Sequence, residues 1–294
     1  DLSLPVVTSL RFGLSSAIIL VPTVLMGATL PLLSRFVTRG LDGAQEGGQA
    51  LGKYVSRMYA INTLGAAVGT FVCTFLLLEH LGTTGTLRWT ALINVLIFVA
   101  SAILSREITV EAVDKTEAPP KIVFPRMVLI GLFFSGCFSF MYEVIFVHIL
   151  ALVTGTSIYA FGIMLFVFLC GLAAGARLAE KRLAEGCNPG QLFGRYQMMA
   201  AIIVVAMIPA WPYVPYLFTA MGYLDPGFAL RTFTRILAVG IVMFPPAFLL
   251  GTSFPLLLAI VTRNRANLGK AVGTLYFVNT IGAIIGSVGA GFLI

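Results

Sequence analysis

From Met127 to Leu152 the chain reads MVLIGLFFSGCFSFMYEVIFVHILAL, with one carboxylate, Glu143, and no lysine or arginine. Hydrocarbon offers a backbone no hydrogen-bond partners, so a segment crossing it must satisfy its own amides in a helix or a closed barrel. This run lacks the alternation of a barrel strand and exceeds the roughly 20 residues a helix needs to span the core. Comparable runs recur at about 11–34, 55–78, 88–105, 157–178, 196–218, 232–260 and 271–294. They predict an all-α polytopic membrane protein of eight spans. Composition agrees: the chain is 59% hydrophobic and only 11% charged, where a soluble domain carries about a quarter charged residues.

The basic residues fall on alternate connections. One side holds Arg35, Arg39, Lys53, Arg57, Arg106, Lys115, Lys121, Arg126, Arg177, Lys181, Arg182, Arg195, Arg263, Arg265 and Lys270, which is 15 of the 19. The other side has Arg11, Arg88, Arg231 and Arg235. The positive-inside rule makes the first side cytoplasmic and puts Trp89 and Trp211 at the outer interface, which predicts a bacterial inner (cytoplasmic) membrane protein. The net charge of +7 therefore reports topology rather than nucleic-acid binding. The segment 106–126, REITVEAVDKTEAPPKIVFPR, is charged and proline-bearing. It reads as a mobile cytoplasmic linker between parts 1–105 and 127–294. Cys73, Cys137, Cys170 and Cys187 lie far apart with no C-x-x-C pair, so neither a disulfide framework nor a metal site is expected. No signal peptide is visible at Asp1.

One line is written twice. SRMYAINTLGAAVGT (56–70) and GTLYFVNTIGAIIGS (273–287) share Tyr, Asn-Thr, Gly-Ala and a second Gly at an offset of 217. Upstream, GATLPLL (27–33) matches GTSFPLL (251–257) at an offset of 224, as do Arg11 with Arg235 and Pro22 with Pro246. Six spans separate the copies, so both point the same way, as in the parallel halves of major-facilitator-like folds. On that plan the spans are helices four to eleven of twelve, with three helices absent before them and one after.

The loop after span five, GLAAGARLAEKRL (171–183), is similar to the G-x-L-x-D-R-x-G-R-like loop of major-facilitator proteins, with Glu180 for Asp and the final Gly-Arg absent. An ordinary basic loop is the other reading. The whole run 136–183, with its Y-E-V, G-x-S-x-Y-A and G-L-x-x-G elements, resembles the membrane region of the spermidine synthase-like fusion proteins. The doubled G-x-T-x-P-L and Y-x-x-N-T-x-G-A-x-x-G segments belong to that resemblance too. Phe146 and His148 stand where the family pattern has Trp and Arg. The resemblance implies a cytoplasmic aminopropyltransferase-like domain in family members. This sequence carries no G-G-G-D-G turn or acidic cluster of that kind, so no catalytic residue and no cofactor are expected within it.

Glu143 lies roughly 24 Å from the cytoplasmic end of its helix at 1.5 Å per residue. An intramembrane carboxylate is a functional-site candidate by default. Arg11 and Arg235 enter from the outer side, on helices that line the central cavity of a major-facilitator plan. The three charges are therefore candidates to meet there. Glu143 would bind a cation or switch arginine partners during gating; a fixed ion pair with Arg235 is the structural alternative. His148 is an interfacial residue on this reading. Tyr59 with Asn62, and Tyr276 with Asn279, share one face of each helix by their spacing. They are expected to hydrogen-bond backbone freed by a broken P-L-L helix, or else to form a cytoplasmic gate. Gly65-x-x-x-Gly69 and Gly282-x-x-x-Gly286 are expected to admit close helix packing.

Three functions fit. One is a transporter-like domain for a small cationic, polyamine-like solute. Another is the membrane platform of a spermidine synthase-like protein joined to a cytoplasmic domain. The third is an accessory subunit packed among other membrane subunits. The lipid bilayer is the partner common to all of them.

Overall fold

The computed structural model describes residues 3–39, 48–107, 122, 124–154, 157–216, 219, 227–261 and 268–293. Helices carry nearly all of them: α1 (Leu4–Arg39), α2 (Gly48–Val72), α3 (Leu78–Glu107), α4 (Arg126–Thr154), α5 (Ile158–Ala184), α6 (Pro189–Met207), α7 (Phe228–Leu250), α8 (Ser253–Val261) and α9 (Leu268–Leu293). A π-helical stretch, Cys73–Leu77, joins α2 to α3, and a 3₁₀ stretch, Ile208–Tyr213, follows α6. No strand occurs among the described residues. Most of the 106–126 linker, 108–121 and 123, lies outside them. Its last residues are not free: Ile122 and Phe124 pack on the central core.

Six helical stretches are long and apolar enough to cross a membrane: Val6–Ser34, Leu51–Arg106, Arg126–Ala151, Ile158–Ala184, Leu230–Val261 and Leu268–Phe292. The chain is thus helical and of the integral-membrane type. Two of the eight expected spans, 55–78 and 88–105, fall within the single stretch Leu51–Arg106. At 1.5 Å per residue that stretch is roughly 80 Å long, more than twice a bilayer core. It is broken at Gly82, whose φ of 62° and ψ of −175° are open to glycine and strained for any other residue. The span expected at 196–218 is not among the six. The polar first turns of α6, with Gln191, Arg195 and Gln197, dilute it at one end, and Pro209 and Pro212 turn it into 3₁₀ structure at the other.

Local signals set several helix ends. Ser157 caps α5 by accepting from the Ala160 amide at 3.1 Å. Asn188 caps α6 by accepting from Gly190 at 3.0 Å and Gln191 at 3.2 Å, with Pro189 in the first turn. Both use a side-chain oxygen to satisfy amides a helix start leaves open. Beyond α5, Gly186 takes φ 75°, the left-handed residue with which many helices end.

The most extensive contacts join α4 to α9, α2 to α5, and α5 to α7. Glycines make them close. On α5, Gly171 and Gly175 lie against the backbone around Ala247 and Phe248, and Gly251 lies against Leu172. A methyl at any of these three would overlap its neighbour.

The central core is built from repeat-matched residues. Leu51 and Leu268, Val55 and Val272, and Leu30 and Phe254 are buried in one cluster, with Met58, Leu275, Tyr59 and Tyr276 in or against it. Each couple is related by the repeat offsets. The two copies of the repeated line therefore face each other at their cytoplasmic-expected ends.

The P-L-L helices, however, differ. A break was expected in each copy and occurs in one. Between α7 and α8 the chain turns at Gly251 and Thr252, pressed into the backbone of α5. In the first copy α1 runs unbroken through Gly27 and Pro31, and nothing lies within 4 Å of where a Gly27 Cβ would stand. The same letters break a helix only where a neighbour holds the turn.

Candidate functional site

Glu143 sits half-buried in α4. It falls two turns beyond Gly136, on the stripe of α4 that meets α9. Its neighbour Tyr142 is buried and donates its hydroxyl to the Val242 carbonyl of α7 at 3.2 Å. Tyr142 also lies against Phe146, ring centroids 3.9 Å apart. The carboxylate therefore occupies the wedge between α9 and α7. It has no ion pair, and the ion pairs among the described residues are Arg177 with Glu180 and Arg182 with Glu185.

The expected meeting of Glu143 with Arg11 and Arg235 does not occur as an ion pair in this structure. The Tyr142–Val242 bond sets Glu143 level with residue 242 of α7. Arg235 is seven residues, about 10 Å, further along that helix. Arg11 is exposed on α1, beside an open apolar groove lined by Val6, Leu10 and Leu14. Depth in the membrane is legible from sequence; the rotation and register of packed helices are not. His148 is exposed, and its Nδ1 lies 2.8 Å from the Val144 carbonyl one turn back, so that nitrogen carries the proton and donates.

The two tyrosines of the repeat do come together, through a residue the sequence did not single out. The Phe254 ring stacks on Tyr59, with centroids 5.3 Å apart, and meets Tyr276 edge-on at 5.9 Å. Neither tyrosine hydroxyl bonds the broken backbone, as had been expected. The break satisfies itself: Gly251 donates to Ala247, Thr252 to Leu249, and Leu256 to Thr252, while the Thr252 hydroxyl bonds the Leu249 carbonyl at 2.7 Å. Ser253, at the start of α8, is left with a buried hydroxyl that has no partner.

Asn279 faces α4, its main-chain oxygen against Gly136, whereas Asn62 is exposed. Gly282 and Gly286 touch the Phe133 and Cys137 backbones, as the close-packing expectation requires. Gly65 and Gly69 touch nothing within 4 Å of a built Cβ.

In the loop after α5, Arg177 pairs with Glu180, which is buried. The four cysteines are free thiols. Compared with known families, curated proteins and solved structures, the chain matches none.

Proposed function

We propose that this chain is the membrane platform of a spermidine synthase-like protein, with no catalytic centre of its own, in which Glu143 holds a small cationic amine. The observation that carries the reading is the carboxylate itself. A charge in an apolar helix is expensive, and such residues face a partner, a cavity or a solute. Glu143 lies between two packed helices without an arginine or lysine opposite it. A protonated amine supplies the missing charge. The same reading divides Leu51–Arg106 at Gly82 into two crossings and counts α6 with its 3₁₀ extension as another. Eight spans then form the parallel halves of a major-facilitator-like plan in a bacterial inner membrane, basic loops inward. Support for the halves comes from the matched residues of the central core.

Spermidine binding to the chain in lipid nanodiscs tests this. The wild type is expected to bind saturably and Glu143→Gln to bind at least tenfold more weakly, with its thermal unfolding unchanged. Equal binding by both, or none by either, rejects the amine.

A second reading, an accessory subunit within a larger membrane complex, is favoured by a different observation. Helix α3 buries none of its most apolar residues, and α1 almost none. A photo-cross-linker at Phe98 of α3, used in native membranes, is expected to capture another polypeptide; capture of lipid alone counts against it.

A further inference from the structure

We propose that the face of α2 formed by Asn62, Gly65, Ala66 and Gly69 docks a transmembrane helix of a partner subunit, one with the residue pattern of α4. This deepens the accessory-subunit reading and does not depend on the amine. The repeat allows the absent contact to be read from the present one. On α9 the matched residues are Asn279, Gly282, Ala283 and Gly286, and α4 covers all four. The Phe133 carbonyl lies over Gly282 and the Cys137 carbonyl over Gly286, while Gly136 of α4 receives the Asn279 carbonyl. Each contact admits glycine and excludes a Cβ. On α2 the four residues are exposed.

The opposite faces show the reverse. Helix α2 is covered by α5 at Ala60, Ala67 and Thr74, with Thr74 against Gly162 and Phe71 against Phe166 at 5.2 Å. The matching residues of α9, Phe277, Ile284 and Gly291, are exposed. In each copy, then, the covered face is the one whose covering helix occurs once in this chain.

Lipid is a poor occupant for the α2 face. A glycine inside a helix costs about 1 kcal/mol relative to alanine, and close backbone packing is what offsets it in membranes. Bare Gly65 and Gly69 carry the cost without the return. Phe277 and Ile284, bare on α9, suit lipid as they stand. A partner helix of the α4 kind brings a small residue to the Asn62 carbonyl and two main-chain oxygens to Gly65 and Gly69.

The test uses the full chain in nanodiscs, donor-labelled, and an acceptor-labelled peptide of residues 126–154 as a probe with α4 chemistry. Saturable energy transfer is expected. Gly65→Leu combined with Gly69→Leu should weaken it at least tenfold, and Gly136→Leu in the peptide alone should do the same. Leu96→Ala on α3 should leave it unchanged. Circular dichroism and thermal unfolding of the glycine variant should match wild type, because nothing in the chain touches those residues. No saturable transfer, or transfer indifferent to both glycine changes, overturns the proposal; the second outcome means that the peptide replaces α4 on α9 or rests on α1. If Phe98 captures a partner while the peptide ignores the glycines, the subunit reading stands and this docking face falls.

Discussion

Helices α2 and α9 carry nearly one line of sequence and live in opposite surroundings. Asn-Thr-Leu-Gly-Ala-Ala-Val-Gly, 62–69, is open along its glycine stripe; Asn-Thr-Ile-Gly-Ala-Ile-Ile-Gly, 279–286, is closed along the same stripe by α4. A quarter-turn away the relation inverts. Ala67 of α2 is fully buried by its neighbours, while its match, Ile284 of α9, is 57% exposed. The difference lies in what is packed alongside. A motif of small residues thus fixes how close a neighbour can come, and the rest of the chain decides whether one does.

The comparison makes its largest prediction at the glycines. Gly282→Leu or Gly286→Leu drives a side chain into the Phe133 or Cys137 backbone, which cannot move aside as a flexible side chain would. Either change should cost more than 4 kcal/mol, beyond the usual range of single substitutions, and should leave little folded protein in a detergent thermal-unfolding assay. Gly65→Leu and Gly69→Leu, one repeat away, should stay within about 0.5 kcal/mol of wild type in the isolated chain. Equal effects in both helices would mean that α2 is covered as α9 is.

Next in size comes the shared ring. Phe254 sits between Tyr59 and Tyr276 and is 4% exposed. Phe254→Ala should cost about 3 kcal/mol through lost contacts and an unfilled cavity. Its repeat partner Leu30 is almost as buried but touches neither ring in a stacked geometry. Leu30→Ala should cost less, about 2 kcal/mol. Paired urea or thermal titrations give the ranking, and a reversed order would show that α1 anchors the core more firmly than α8 does.

Much of this was legible in the letters. Helicity and membrane character follow from long apolar runs whose backbone has no other way to bond. The doubled line pointed to Tyr59, Tyr276 and the glycines, and those residues do build the contact between copies. Three things escaped. The break at Gly251 depends on α5 pressing against it, so GTSFPLL breaks and GATLPLL does not. Phe254 stands where the first copy has Leu30, so the repeat alone gave no sign of the tyrosine sandwich. The charges at Glu143, Arg11 and Arg235 shared a depth by counting residues, but counting cannot supply the register between α4 and α7. The Tyr142 hydroxyl on the Val242 carbonyl fixes that.

A smaller effect separates the two stretches that each break once. At Gly82 the backbone is left-handed in φ, and Gly82→Ala should cost about 1–2 kcal/mol by strain alone. At Gly251 the φ is −62°, so the conformation suits any residue and the cost of alanine comes from collision with Leu172. Leu172→Ala cannot relieve that clash, because the atoms met are backbone. Thermal unfolding of the two variants should therefore show a modest loss for Gly82→Ala and a severe one for Gly251→Ala.

The smallest prediction concerns Ser253, one residue past that break. Its hydroxyl is buried and unpartnered, whereas its match in the first copy, Thr29, bonds the Met26 carbonyl at 2.6 Å on an exposed helix face. A buried hydroxyl without a partner loses its hydration and regains nothing, at a cost of about 1–3 kcal/mol. Ser253→Ala removes the oxygen and keeps the Cβ, so it should raise stability by up to about 1 kcal/mol. Thr29→Ala should change it by no more than a few tenths of a kcal/mol. A drop in stability for Ser253→Ala would mean that the hydroxyl has a partner at the α7–α8 break. The break would then be a polar site rather than only a bend held by the backbone of α5.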